Sequence, residues 1–269
     1  MNNRPIGVFD SGLGGLTVLR EIMKITPSEN IVYFGDTARV PYGPRSKETI
    51  MKYTFQAIDF LISKNVKAIV IACNTATARA LKEANEKYDL PIIGVIEAGA
   101  RTAAYTTNNK IVGIIGTDGT IRSKAYNIEI AKIDPDIKII DKACPLFVPI
   151  VEEGWANTDI ASLTAKRYLE ELMDKGIDSL VLGCTHYPLL KRTIGEIVGE
   201  KVKLVNPAKE TAKDLKQILE DNNMLRDDVE EVPKYEYYVS DIPEKFAAIA
   251  EEFLKKEIDD IKNVEIQQY

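Results

Sequence analysis

Eight short and continuously apolar runs set the strongest limit on how this chain can fold. They lie at residues 6–9, 31–34, 68–72, 92–96, 111–115, 137–140, 180–182 and 202–205. Alternating hydrophobicity would suit a sheet with one wet face. Unbroken runs suit strands covered on both faces, as in a parallel sheet packed between helices. The intervening segments fit the covering role. Ile50, Thr54, Ala57, Ile58, Leu61 and Ile62 make one apolar stripe after Ser46, a suitable N-cap. Residues 160–173 show the same spacing, and Gly176 is placed to end that helix. The expected class is α/β, and 269 residues suffice for one large domain or two of ordinary size.

The chain also repeats itself. Ile6-Gly7-Val8-Phe9-Asp10-Ser11-Gly12 resembles Val112-Gly113-Ile114-Ile115-Gly116-Thr117-Asp118, an offset of 106 residues. Ala68-Ile69-Val70-Ile71-Ala72-Cys73-Asn74-Thr75 resembles Ser179-Leu180-Val181-Leu182-Gly183-Cys184-Thr185-His186, an offset of 111. Each unit reads as a buried strand running into a polar turn and then a helix. Parallel strands present their C-terminal ends on one edge, where α/β proteins build their sites. Two such halves facing each other would set Cys73 and Cys184 across a shared cleft. The expected architecture is therefore two similar lobes, each a mainly parallel sheet flanked by helices. They would be related by a pseudo-twofold axis, with the site between them. The first lobe would comprise residues 1–97 plus 208–269, and the second 98–207. Helices at 212–219 and 244–254 and a strand near 235–239 would complete the first.

Composition removes several classes of function. A net charge of −6 argues against a nucleic-acid binder, which would carry a basic stripe. No apolar run approaches the length of a membrane span, and the N-terminus lacks the pattern of a secretory signal. Three widely spaced cysteines do not form a disulfide framework, so a reducing cytoplasm is the expected home.

Cys73 and Cys184 are placed for chemistry. A thiol between a strand end and a helix start feels the positive end of the helix dipole, which lowers its pKa and favours thiolate. Either cysteine alone would read as a small buried hydrophobe; their matching positions argue for function. Cys144, in Ala143-Cys144-Pro145, has no such counterpart and reads as structural. His186 is the only histidine and lies two residues from Cys184, where it suits acid–base or orienting work. Zinc is not expected, because the sequence offers no compact second pair of ligands. The glycines of Asp10-Ser11-Gly12-Leu13-Gly14-Gly15-Leu16-Thr17 invite comparison with a dinucleotide loop, with Asp36 near the place of a ribose-binding acid. Thr17 occupies the third glycine position, however, and Asp10 would repel a pyrophosphate. A small anionic or zwitterionic ligand suits this loop better.

Four motifs together are more specific. Asp10-Ser11-Gly12-x-Gly14-Gly15, Pro41-Tyr42-Gly43, Cys73-Asn74-Thr75 and Cys184-Thr185-His186 resemble, in that order, the signature of glutamate racemases. The stretches 33–40, 94–99 and 144–149 agree too, and the likeness extends from about Ile6 to Pro207. The resemblance implies interconversion of L- and D-glutamate with no cofactor, pyridoxal phosphate included, the D-isomer feeding bacterial peptidoglycan synthesis. It implies that Cys73 and Cys184 exchange the roles of thiolate base and thiol acid, with Cys73 taking the proton of the D-isomer and Cys184 that of the L-isomer. Asp10 would assist Cys73, and His186 with Glu152 would assist Cys184. Ser11, Asn74, Thr75, Thr117, Thr120 and Thr185, with Tyr42 and Gly43, would supply hydroxyl, amide and backbone donors to the substrate carboxylates. No lysine or arginine falls within the four motifs, so neutral donors at helix N-termini would hold those charges. The expected partner is glutamate itself, with a homodimer left open. An aspartate racemase is the nearest alternative, and a two-lobed amino-acid binding protein without turnover is the alternative from another class.

Overall fold

Each apolar run pairs in register with its neighbour. In the computed structural model, which describes residues 2–226, 231–254, 258 and 260–269, the strands are β1 Ile6–Asp10, β2 Ile31–Gly35, β3 Ala68–Ile71, β4 Ile92–Gly94, β5 Ile111–Gly116, β6 Lys138–Ala143, β7 Ser179–Gly183, β8 Lys203–Val205, β9 Tyr235–Val239 and β10 Ile261–Asn263. The helices are α1 Leu16–Ile25, α2 Lys47–Ser63, α3 Asn74–Lys87, α4 Ile96–Thr106, α5 Asp118–Ser123, α6 Ala125–Ile133, α7 Phe147–Glu152, α8 Asp159–Asp174, α9 Lys191–Val198, α10 Pro207–Asp221 and α11 Pro243–Leu254. Met1 and residues 227–230, 255–257 and 259, which the sequence assigns to the first lobe, lie outside the described residues.

The strands form two sheets, ordered β10-β9-β2-β1-β3-β4 and β6-β5-β7-β8, with every pairing parallel. Without its two-strand extension the first sheet has the strand order of the second. The register matches as well: Ile6 pairs with Ala68 in one sheet and Val112 with Ser179 in the other. These are the positions that the offsets of 106 and 111 residues make equivalent. The returning C-terminal chain adds β9 beside β2.

Local sequence accounts for the boundaries. Ser46 caps α2 by accepting from the Thr49 amide, Thr117 caps α5 and Thr158 caps α8 in the same way. Gly176, just past α8, has φ +73°, a left-handed backbone that glycine takes without steric cost. β4 stops at Gly94 because Ile96 already opens α4. β6 departs from the doubly covered expectation: its six residues are partly or fully exposed, for it is an edge strand carrying Lys138, Asp141 and Lys142. Buried residues of both halves, among them Leu16, Val95, Leu182 and Ala208, join one apolar cluster. The two sheets therefore share part of their interior, which fixes how their strand ends face each other.

Candidate active site

The loops that leave β1, β3, β5 and β7 converge on a cavity of about 380 Å3. Ser11 and Gly12 follow β1, Cys73, Asn74 and Thr75 follow β3, Thr117 and Asp118 follow β5, and Cys184, Thr185 and His186 follow β7. Tyr42, Gly43 and Glu152 complete the polar lining, with an apolar rim of Val40, Pro41, Pro44, Pro145, Val148 and Pro149. Two expected residues sit behind the wall. Asp10 is fully buried and its Oδ2 accepts from the Gly12 amide at 2.9 Å. Thr120 is buried against the Thr75 and Thr117 hydroxyls, 3.5 and 3.1 Å away. Cys144 is buried and off the cavity. A broader surface depression of about 890 Å3 beside Arg20, Lys191, Arg192 and Lys203 contains none of these groups.

The two cysteines have different surroundings. Cys73 is the N-cap of α3, with no side chain capping that helix, so the first-turn amides have no intrahelical partners. Its thiol donates to Ser11 Oγ at 3.3 Å. The expected lowering of its pKa is not what the geometry produces. Burial and the nearby Asp10 carboxylate push the thiol up to about 12, outweighing Ser11 and the Ala76 amide. Cys73 is thus held as a thiol. Asp10 is itself raised by burial, against the His186 charge and the Gly15, Gly12 and Ser11 amides.

Cys184 lies on a different kind of turn. No α-helix follows it directly: Pro188 brings no N–H, and a 3-10 turn, Tyr187–Leu190, intervenes before α9. Its partner is His186, whose Nδ1 is 3.8 Å from the sulfur and whose Nε2 is 3.1 Å from Glu152 Oε1. Glu152 ends α7 on the cavity wall. Burial alone would lower the His186 pKa, but its hydrogen bonds with Cys184 and Glu152 outweigh that and raise it to about 10. The imidazole is accordingly a cation at neutral pH.

This shift has a measurable consequence for stability. A group raised on folding contributes stability that is complete below its unfolded value, here 6.5, and is lost as pH climbs through about 10. The difference in Tm between the protein and its His186→Gln variant should therefore narrow from pH 6.5 to 10. A difference that stays constant across that range would show the imidazole to be neutral.

Close approach between the halves depends on two glycines. A Cβ at Gly14 would overlap Thr185 Oγ1 and lie 2.5 Å from His186 Nδ1, and one at Gly119 would lie 2.9 Å from both Gly43 O and Thr75 Cγ2. Each half thus brings a glycine, Gly14 in the turn after β1 and Gly119 in the first turn of α5, against residues that follow the cysteine of the other.

By sequence alone Tyr42 is a hydroxyl donor to substrate and Asp36 only an acid near the place of a ribose ligand. The structure joins them. The Tyr42 hydroxyl donates to Asp36 Oδ2, which also accepts from Arg39 Nε at 2.6 Å, while Asp36 Oδ1 accepts from Ser240 Oγ at 2.8 Å. The Tyr42 proton is thereby committed, and Asp36 fastens the 37–44 wall to the returning C-terminal chain. Only the pairing of a buried acid with hydrogen-bonding neighbours in space marks it; its Ser240 partner is 204 residues away.

Residues 6–215 match the sequence profile of the family described as Asp/Glu/hydantoin racemase. The chain belongs to that family. It is 50% identical to the glutamate racemase of Geobacter metallireducens over 98% of this chain and 97% of that one. A crystal structure of glutamate racemase from Francisella tularensis in complex with D-glutamate matches it with a TM-score of 0.94 at 44% identity, covering 100% of both chains. An aspartate racemase from Picrophilus torridus, at 17% identity and a TM-score of 0.58, shares the fold alone. The family's two-sheet plan is therefore present across the whole matched length. Among the described residues no group of three or more His, Cys, Asp or Glu side chains is placed to hold a metal ion. No helix among them is long and apolar enough to cross a membrane.

Proposed function

We propose that the protein interconverts L- and D-glutamate by two-base proton transfer at the α-carbon, supplying D-glutamate for peptidoglycan. The observation that carries this reading is the single cavity lined by both Cys73 and Cys184, each with a proton partner of its own. Its relatives named as glutamate racemases support the substrate. The division of labour between lobes, 1–97 with 208–269 and 98–207, is part of the proposal, as is a reducing cytoplasmic setting that keeps the thiols free.

The protons are accounted for as follows. Cys184 as thiolate takes the α-proton of L-glutamate, and Cys73 as thiol delivers its proton to the opposite face, giving D-glutamate. The reverse reaction exchanges the roles. His186, held by Glu152, exchanges the proton at Cys184; Asp10, buried behind Ser11, serves Cys73. The carboxylates lie against the first-turn amides of α3 and the hydroxyls of Ser11, Thr75, Thr117 and Thr185, with Thr120 supporting that hydroxyl group from behind. Neutral donors fixed in a water-poor cleft stabilise the developing carbanion without reorganising.

Incubating the protein with L-glutamate in D2O tests the reading. D-glutamate should appear with deuterium at the α-carbon. Binding with no exchange would identify a binding protein instead, and faster turnover of L-aspartate measured alongside would reassign the substrate.

A further inference from the structure

Asn74 and Thr185 are equivalent positions in the two halves, each immediately after its cysteine. Neither is held only by its own half. The Tyr126 hydroxyl, from α6 in the second half, donates to Asn74 Oδ1 at 2.7 Å. The Thr17 hydroxyl, from α1 in the first half, lies 3.0 Å from the Thr185 carbonyl and 2.9 Å from that of Gly14.

Tyr126 does more than close one bond. It is 2% exposed, and its ring lies under the end of β7, where a Cβ at Gly183 would come within 3.2 Å of Cε2. Gly183 precedes Cys184, and Asn74 follows Cys73. One side chain therefore supports the approach to one cysteine with its ring and fixes the residue after the other with its hydroxyl. Burial, with the nearby Cys184, raises the phenol well above its ordinary pKa, so it remains a donor. A side-chain amide has an acceptor end and a donor end. With Oδ1 occupied by Tyr126, the Nδ2 hydrogens are the end left for the cavity that Asn74 lines.

We infer that Tyr126 is a positioning residue that acts through Asn74, turning its amide N–H group toward a substrate carboxylate. The inference rests on the racemase reading. It also commits to binding rather than proton transfer as the step affected, since a carboxylate is present in ground and transition states alike.

Steady-state kinetics with L- and D-glutamate on the full-length protein test it, using Tyr126→Phe, Asn74→Ala and the double variant. Tyr126→Phe keeps the ring and removes the hydroxyl. KM for both isomers should rise about tenfold, the equivalent of one lost hydrogen bond to a charged group, with kcat changed less than threefold. In the Asn74→Ala background the same substitution should alter KM less than twofold, because partners in one bond are not additive. A residue needed only for packing would leave KM alone, because Tyr126→Phe keeps the ring. If Tyr126→Phe yields no folded protein, Gly99→Ala serves instead, since a Cβ there would meet Pro207 Cγ at 2.8 Å and Tyr126 Cε1 and Oη at 3.0 and 3.1 Å, pressing on the ring and its hydroxyl; the same rise in KM is expected. An unchanged KM in an active protein, or equal effects in both backgrounds, overturns the inference. Absence of turnover by the unmodified protein overturns the racemase reading instead.

Discussion

Replacing either Cys73 or Cys184 by alanine is expected to stop racemisation in both directions while leaving one half-reaction visible. Enantiomers have equal free energies, so kcat/KM must be the same for the two directions in any variant. A loss seen with one isomer alone is therefore impossible at equal conditions. General acid–base groups contribute about 10^2- to 10^4-fold each, which places the fall in kcat/KM at or above about 10^3-fold. Abstraction needs only the base on its own face. In Cys73→Ala, Cys184 and His186 remain 3.8 Å apart and can still remove and return the proton of L-glutamate. In D2O that variant should exchange the α-proton of L-glutamate slowly, without inversion, and leave D-glutamate untouched. Cys184→Ala should show the mirror pattern. Proton NMR of the α-position, read beside circular dichroism of the product, resolves exchange from inversion. Near-normal racemisation by either variant would end the two-base mechanism, and the opposite exchange pattern would swap the faces. Cys144→Ala supplies the control: its buried thiol donates to the Lys142 carbonyl at 3.7 Å and lies off the cavity, so activity should stay within about twofold.

The same cysteines show what could be seen before the fold was known. Strands such as β1, β3, β5 and β7 were legible because parallel strands covered on both faces are written as unbroken apolar runs. Their loops followed, since the repeat made Cys73 and Cys184 equivalent. β10 escaped: it is three residues long at a sheet edge, and Lys262 and Asn263 face water. Chemical state was less accessible than position. Helix-end geometry suggests a lowered thiol pKa, but burial and Asp10 act on Cys73 more strongly, and both arise from tertiary packing. Tyr126 is the clearest omission. In sequence it is one aromatic residue near the start of an ordinary helix, and its partner Asn74 lies 52 residues away. Tyr42 lines the cavity, yet the direction of its hydroxyl depends on Asp36, whose carboxylate also accepts from Arg39 Nε. Motifs mark which residues meet; which end of a polar group is already occupied is decided by neighbours from elsewhere in the chain.

A single methyl group at Gly14 should damage activity strongly, though less than loss of a reacting cysteine. The turn after β1 passes so near the second half that a Cβ there would overlap Thr185 Oγ1 and sit 2.5 Å from His186 Nδ1. Neither neighbour can yield freely. The Thr185 carbonyl is engaged by Thr17, and His186 is held at Nε2 by Glu152 at 3.1 Å. The least constrained response is to push the imidazole off the Cys184 sulfur or to part the two halves. Displacing a reacting group by about 1 Å can cost about 10^2-fold in rate, so kcat/KM of Gly14→Ala should fall by about that factor. Overpacking costs about 1–3 kcal/mol, which at roughly 2–4 °C per kcal/mol for a chain of this size lowers Tm by several degrees. Gly195→Ala separates this effect from the mere addition of a methyl group. A Cβ there meets only Leu204 Cδ1, at 3.8 Å, within α9. Alanine is favoured over glycine inside a helix by roughly 0.5–1 kcal/mol, so that variant should be at least as stable as the parent and fully active. Equal activity and Tm for Gly14→Ala and the parent would show that the halves stand further apart in solution than the cysteine geometry requires. The two-base cavity would then have to form by closure around the substrate.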